Sequence, residues 1–139
     1  RLTVIRADAA QEIRLPAHQG QVDVLQVDLY DHEAAASVLD SGAFYANCRD
    51  LLTDDGVMTV NLFGRDSSYL RSLEKIAEAF GPEAVWAFKP TREGNTVVLA
   101  QHTPCRPKRE VLMTRANVIE SRWGLPADKW VRVFKPMLS

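Results

Sequence analysis

Val22–Asp31 reads VDVLQVDLYD, an apolar run entered from Gly20 that breaks off in two acids three residues apart, Asp28 and Asp31. A short run rich in Val and Leu, bounded by a glycine and a charged turn, has the pattern of a parallel strand buried on both faces. Its last residues then lie at the carboxyl edge of a sheet. Ligands of open α/β sheets bind at that edge, which makes Asp28 and Asp31 candidates for chemistry.

Working outward, Leu2–Ile5 (LTVI) reads as a preceding buried strand that ends at Arg6, Ala7 and Asp8. A weakly helical segment through Ile13 and Leu15 leads to the turn at Pro16–Gly20, and the strand Val22–Leu29 follows. Phe44, Tyr45, Cys48, Leu51 and Leu52 recur at helical spacing, with Asp40 or Ser41 as cap and Asp54-Asp55-Gly56 as stop. Val57–Phe63 (VMTVNLF) is a further strand. Gly64, Arg65 and Asp66 then open a helix with Leu70, Leu73, Ile76, Ala77 and Phe80 on one face, closed by Gly81-Pro82. Ala84–Lys89 and Thr96–Gln101 are separated only by the turn-rich Pro90–Asn95. Strands joined so closely must be antiparallel, which predicts a hairpin at the end of an otherwise parallel sheet. Within Lys108–Ser139 one helix is predicted, from Val111, Leu112, Arg115, Val118, Ile119, Arg122 and Trp123, with Gly124 as stop. Trp130, Val133 and Phe134 are expected to pack against the body, and Trp86 and Trp123 likewise read as packing residues.

The fold class is therefore α/β, the second half of a doubly wound sheet. At 139 residues the chain suits one domain, with sheet and helices over 1–104 and a carboxyl-terminal helix and tail over 105–139. Because LTVI opens the chain with nothing ahead to pair with it, residues upstream are expected to be missing.

Charged residues are 25% and hydrophobic ones 46% of the chain, with net charge -1. That balance gives no footprint for nucleic acid or for an anionic membrane. Arg106, Lys108 and Arg109 sit in a Pro-containing connector without interleaved aromatics and read as a solvated linker. Cys48 and Cys105 belong to no CxxC or Cys/His spacing, so neither a disulfide framework nor a metal site is indicated. A cytoplasmic location fits that usage, and no apolar run approaches the roughly 18 residues that span a bilayer.

Three strand ends share one character. Asp8 follows the first, Asp28 and Asp31 the second, and Asn61, Gly64 and Asp66 the third. In a parallel sheet all three lie at one edge. Asp40 and Asp66 read as helix caps, Asp28 as a functional acid.

These residues resemble a family. DVLQVDLYD, with RADA at Arg6–Ala9 upstream and LLTDDGVMTVN at Leu51–Asn61 downstream, is similar to the carboxyl half of the spermidine synthase-like aminopropyltransferases, over the chain to about Gln101. The resemblance implies a class I methyltransferase fold, a partial Rossmann-like sheet ending in an antiparallel hairpin. It implies transfer of an aminopropyl group from decarboxylated S-adenosylmethionine to a diamine such as putrescine, with no metal. An alkylammonium of pKa about 10 must lose a proton before it attacks, so a carboxylate is needed to orient it and accept that proton. Carried over, Asp28 is the general base and Asp31 the anchor for the diamine's cationic groups. Asp8 would accept a hydrogen bond from the adenine amino group, with the Ala9 backbone nearby. The enclosed residues Leu29 and Tyr30 and the following His32 depart from the family's small or polar residues and Pro. Tyr30 reads as a wall of the substrate pocket or as packing, and His32 as solvated.

Two other readings stand beside this one. An S-adenosylmethionine-dependent methyltransferase would use Asp8 in the same way, and a non-catalytic relative would dimerise through an open sheet edge. A homodimer is expected for the enzyme. The glycine-rich loop and the acid that holds the ribose would precede Arg1, so the chain alone is expected to be inactive.

Overall fold

The computed structural model describes residues 2–29, 41–63 and 67–137. In chain order the elements are α1 (Ala9–Glu12), β1 (Val22–Val27), α2 (Gly42–Leu51), β2 (Leu52–Phe63), α3 (Ser67–Phe80), β3 (Val85–Phe88), β4 (Asn95–Gln101), α4 (Arg109–Trp123), α5 (Ala127–Val133) and β5 (Phe134–Pro136). The five strands form one sheet in the order β1-β2-β4-β3-β5. The β1 and β2 strands are parallel, with Val27 opposite Val60. The β4 strand runs antiparallel to both β2 and β3, and β5 antiparallel to β3. Thus β1, β2 and β3 point one way and β4 and β5 the other.

The predicted hairpin is present, but β4 inserts between β2 and β3 instead of lying beyond them. The Pro90–Asn95 turn closes it, with the Thr91 N–H donating to the Asn95 carbonyl at 2.8 Å. A second helix, α5, and the short strand β5 lie where the sequence shows only three scattered apolar residues. Three residues carry too little periodicity to announce a strand. It is held by the stack of Phe134 on Trp86, centroids 4.9 Å apart, and its contact with Phe88 at 4.7 Å.

The core lies between one face of the sheet and helices α2 and α3. Alternation along the strands delivers Met58, Val60 and Leu62 from β2, Val98 and Ala100 from β4 and Val85 from β3 to that face, as the period of two requires. Helix α2 contributes Phe44, Tyr45 and Cys48, and α3 contributes Ile76 and Phe80. Full burial of such side chains contributes about 1.5–3 kcal/mol each. Trp86, Phe88 and Phe134 belong to the opposite face, beneath α4 and α5.

Several boundaries differ from expectation. Leu2–Ile5 pairs with no strand among the described residues and is left exposed, Leu2 at 87% and Val4 at 84%. Apolar sequence alone does not form a strand without a ladder partner. The strand β1 stops at Val27 and, among the described residues, pairs on one side only, with β2, so that Val24 is 60% exposed while Val27 is buried. Helix α2 ends at Leu51, ahead of Asp54-Asp55-Gly56, and β2 begins at once. The register shift between Val22 and Val24 absorbs the extra residues of β2. Gly56 sits at that irregularity because a Cβ there would lie 2.8 Å from the Val22 carbonyl oxygen and 2.9 Å from Leu52 Cβ. Leu70 points outward, and the inward row on α3 is Tyr69, Ser72, Leu73, Ile76, Ala77 and Phe80. Trp123 is 57% exposed with the Arg122 guanidinium over its ring, so only Trp86 of the three tryptophans is buried.

Candidate functional site

Parallel pairing of β1 with β2 fixes the geometry of the carboxyl edge. Val27 is opposite Val60, so the next residues, Asp28 and Asn61, come side by side at the carboxyl ends of the two strands. Asn61 Nδ2 donates to Asp28 Oδ1 at 3.2 Å. Asp28 itself is exposed. One carboxylate oxygen is thereby held, and the chain leaves Asp28 Oδ2 with no bond of its own to a neighbouring side chain among the described hydrogen bonds.

Asp8 is the N-cap of α1. Its Oδ1 accepts from the Ala10 N–H at 2.8 Å and the Gln11 N–H at 3.3 Å. A carboxylate at a helix start satisfies donors that have no partner within the helix. Capping therefore holds Asp8 in place whatever else it does. Its neighbour Ala9 and Asp28 line one cavity of about 230 Å³, shared with Ile13, Leu25, Leu29 and Phe44. The segment after LTVI and the end of β1 are thus brought together although LTVI pairs with no described strand. Cys48 closes the floor of this cavity. Burial pushes its thiol up to about 12, so it is an uncharged wall and not a nucleophile.

Helix α2 starts beside the site at Ser41, whose Oγ accepts from the Phe44 N–H at 3.3 Å. Ser41, one of the two predicted caps, is the N-cap of α2. Tyr30, Asp31, His32, Asp40, Gly64 and Asp66 lie outside the described residues. The hydrogen bond of Asn61 to Asp28 gives Asn61 a part that the sequence did not assign. Its signal was an amide in the otherwise apolar VMTVNLF, two residues before the end of the strand.

Cys48 and Cys105 are free thiols. Among the described residues no group of three His, Cys, Asp or Glu side chains gathers as a metal ion would need. No described helix is long and apolar enough to cross a membrane.

Three co-directional strands with helices on both sheet faces, an inserted antiparallel strand and a polar carboxyl edge define a Rossmann-like α/β protein of the class I methyltransferase type. Solved spermidine synthases share this fold. One, in complex with the transition-state analogue AdoDATO, superposes with a TM-score of 0.62 at 19% identity over 74% of this chain and 37% of its own. A probable spermidine synthase from Corynebacterium glutamicum gives 0.59 at 20% identity over 91% of this chain and 48% of its own.

In sequence the chain is similar to curated polyamine aminopropyltransferases. It is 30% identical to that of Neisseria meningitidis serogroup A over 123 residues, 88% of this chain and 46% of the relative. The Chromobacterium violaceum protein is 26% identical over 133 residues, 95% of this chain and 50% of the relative. The chain spans about half the length of the curated relatives it matches. No protein-family model matches it.

Proposed function

We propose that this chain carries the acceptor half of a polyamine aminopropyltransferase site, with Asp28 as the base that receives a proton from the attacking amine. The observation that carries the reading is the Asn61–Asp28 hydrogen bond at the carboxyl edge. It holds one oxygen, and the other, without a side-chain partner among the described residues, would meet an ammonium group. The similarity to named aminopropyltransferases supports the same reaction class.

In the proposed reaction the co-substrate is decarboxylated S-adenosylmethionine. The amine nitrogen of a diamine such as putrescine attacks the aminopropyl carbon bound to sulfur, a carbon–nitrogen bond forms, the carbon–sulfur bond breaks, and methylthioadenosine leaves as a neutral thioether. The amine's proton passes to Asp28. Asp31 would hold the far ammonium of the diamine, with Tyr30 beside it. Paired anions attract a dication over long range and do so less at high salt. The cavity that Ala9 shares with Asp28 would take the nucleoside, Asp8 presenting its carboxylate to the adenine amino group.

Activity is assigned to a chain of the relatives' full length, acting as a homodimer. Product mass spectrometry of that enzyme, given decarboxylated S-adenosylmethionine and putrescine, tests the reading. A product enlarged by an aminopropyl group is expected. A methylated product from S-adenosylmethionine instead would move the chain to the methyltransferases.

A further inference from the structure

The charge of this chain is divided unevenly. Residues 105–139 hold eight Lys and Arg against three Asp and Glu, whereas residues 1–104 hold nine against fifteen. The cationic segment builds α4, α5 and β5, and of its described residues only Ala116 and Ala127 are buried. Val118 is 57%, Trp123 57% and Trp130 41% exposed. Apolar area of this kind beside surplus charge of one sign is characteristic of an interaction surface.

The surface has a shape. Between α4, α5 and the β3–β5 edge lies an apolar groove of about 240 Å³, walled by Leu112, Ala116, Ile119, Trp130 and Phe134, with Arg115 beside them. It shares Leu112, Arg115 and Phe134 with a second hollow of about 160 Å³. It shares Phe88 with a cleft of about 450 Å³ walled by Lys89, Arg132 and Lys135. Arg132 is bonded to Asp128 at 3.0 Å. Arg115, Lys89 and Lys135 are exposed and have no ion-pair partner among the described residues.

We propose that this groove docks an acidic amphipathic helix of a partner protein, one bulky apolar side chain filling the hollow and carboxylates meeting Arg115, Lys89 and Lys135. Adjoining hollows with an apolar centre and cationic flanks suit an elongated ligand whose carboxylates flank an apolar stripe. Exposed tryptophan and arginine are the residue types that anchor such contacts. A second copy meeting this face through the same face would set the cationic patch against itself. A membrane-surface helix lies with one apolar face in the headgroup layer, whereas the apolar residues here wall a groove between α4, α5 and Phe134. The proposal is independent of the reaction at Asp28.

The probe is an acetylated 15-residue helical peptide of Glu, Ala and Leu with one central Phe, titrated into the 139-residue chain and followed by amide chemical shifts and calorimetry. Saturable binding is expected, with shifts on α4 and α5, at least ~10-fold weaker in Arg115→Glu and in the Lys89→Glu/Lys135→Glu double variant. All three side chains are exposed, and unchanged circular dichroism of these variants is expected. The same peptide with Lys for Glu should not bind. Absence of saturable binding, shifts confined to the β1 edge, unchanged affinity in the charge variants, or capture by phosphatidylserine vesicles without peptide binding would each overturn the proposal.

Discussion

Asn61 Nδ2 and Asp28 Oδ1 meet at 3.2 Å across the β1–β2 ladder, although the two residues are 33 positions apart in sequence. The contact joins the ends of two parallel strands and, among the described residues, leaves Asp28 Oδ2 without a side-chain partner. Under the proposed function, replacing Asn61 by Ala in a full-length chain leaves the orientation of the Asp28 carboxylate to solvent. The turnover number is expected to fall about 10-fold, as a loss of orientation costs, with little change in the Michaelis constant for the nucleoside. Steady-state kinetics with each substrate varied in turn checks this.

Gly56 is set where a side chain has no room. A Cβ would lie 2.8 Å from the Val22 carbonyl oxygen, 2.9 Å from Leu52 Cβ and 2.9 Å from the Thr53 carbonyl oxygen. Two of these three neighbours are backbone and cannot give way cheaply. Gly56→Ala is expected to destabilise the chain by about 1–3 kcal/mol, the range for overpacking. Urea unfolding would show this as a lower midpoint with an unchanged slope.

Ser41 supplies the described cap of α2 through Phe44 N–H. Loss of that acceptor in Ser41→Ala is expected to cost about 1 kcal/mol. Ser41→Asp should retain most of the stability, since its carboxylate accepts the same bond and also favours the positive end of the helix.

Cys48 links stability to alkaline pH. Its folded pKa, about 12, stands above the ordinary value of 9.0 because burial disfavours the thiolate. Between these values the unfolded chain loses the proton and the folded chain keeps it, so stability is full below pH 9 and declines as pH rises toward 12. The slope contributed is about 1.4 kcal/mol per pH unit within that window. Burial also raises Tyr69, which acts in the same direction. Cys48→Ala should show a shallower alkaline decline in thermal unfolding, and iodoacetamide should label exposed Cys105 in the native chain far faster than Cys48.

The parts of the fold legible in sequence were those with a strong period or hard punctuation. Gly81 adopts φ 87 after Phe80 and ends α3 where the glycine and proline stand. The hairpin followed from a connection too short for a crossover. LTVI has strand composition but pairs with no described strand, since strand formation depends on a partner that local composition does not encode. VDVLQV has the apolar content of a strand buried on both faces, and among the described residues it pairs with β2 alone, which leaves Val24 exposed. The DDG signal marked an irregularity within β2 instead of a helix end, since Leu52 already pairs with Val22. At the site, Asp28 was legible as the first residue after a strand. Asn61 acquires its partner only through the parallel register, and Ala9 shares a cavity with Asp28 through the third dimension alone.

The rate of the proposed aminopropyl transfer by a full-length chain carrying Asp28→Asn bears most directly on the role of that carboxylate. Asparagine keeps the size and an oxygen for the Asn61 amide but cannot accept the amine's proton. Transfer to putrescine is expected to fall by at least about 100-fold, the scale of general base catalysis, while the nucleoside still binds. Transfer at the wild-type rate, with the same pH profile, would contradict the assignment.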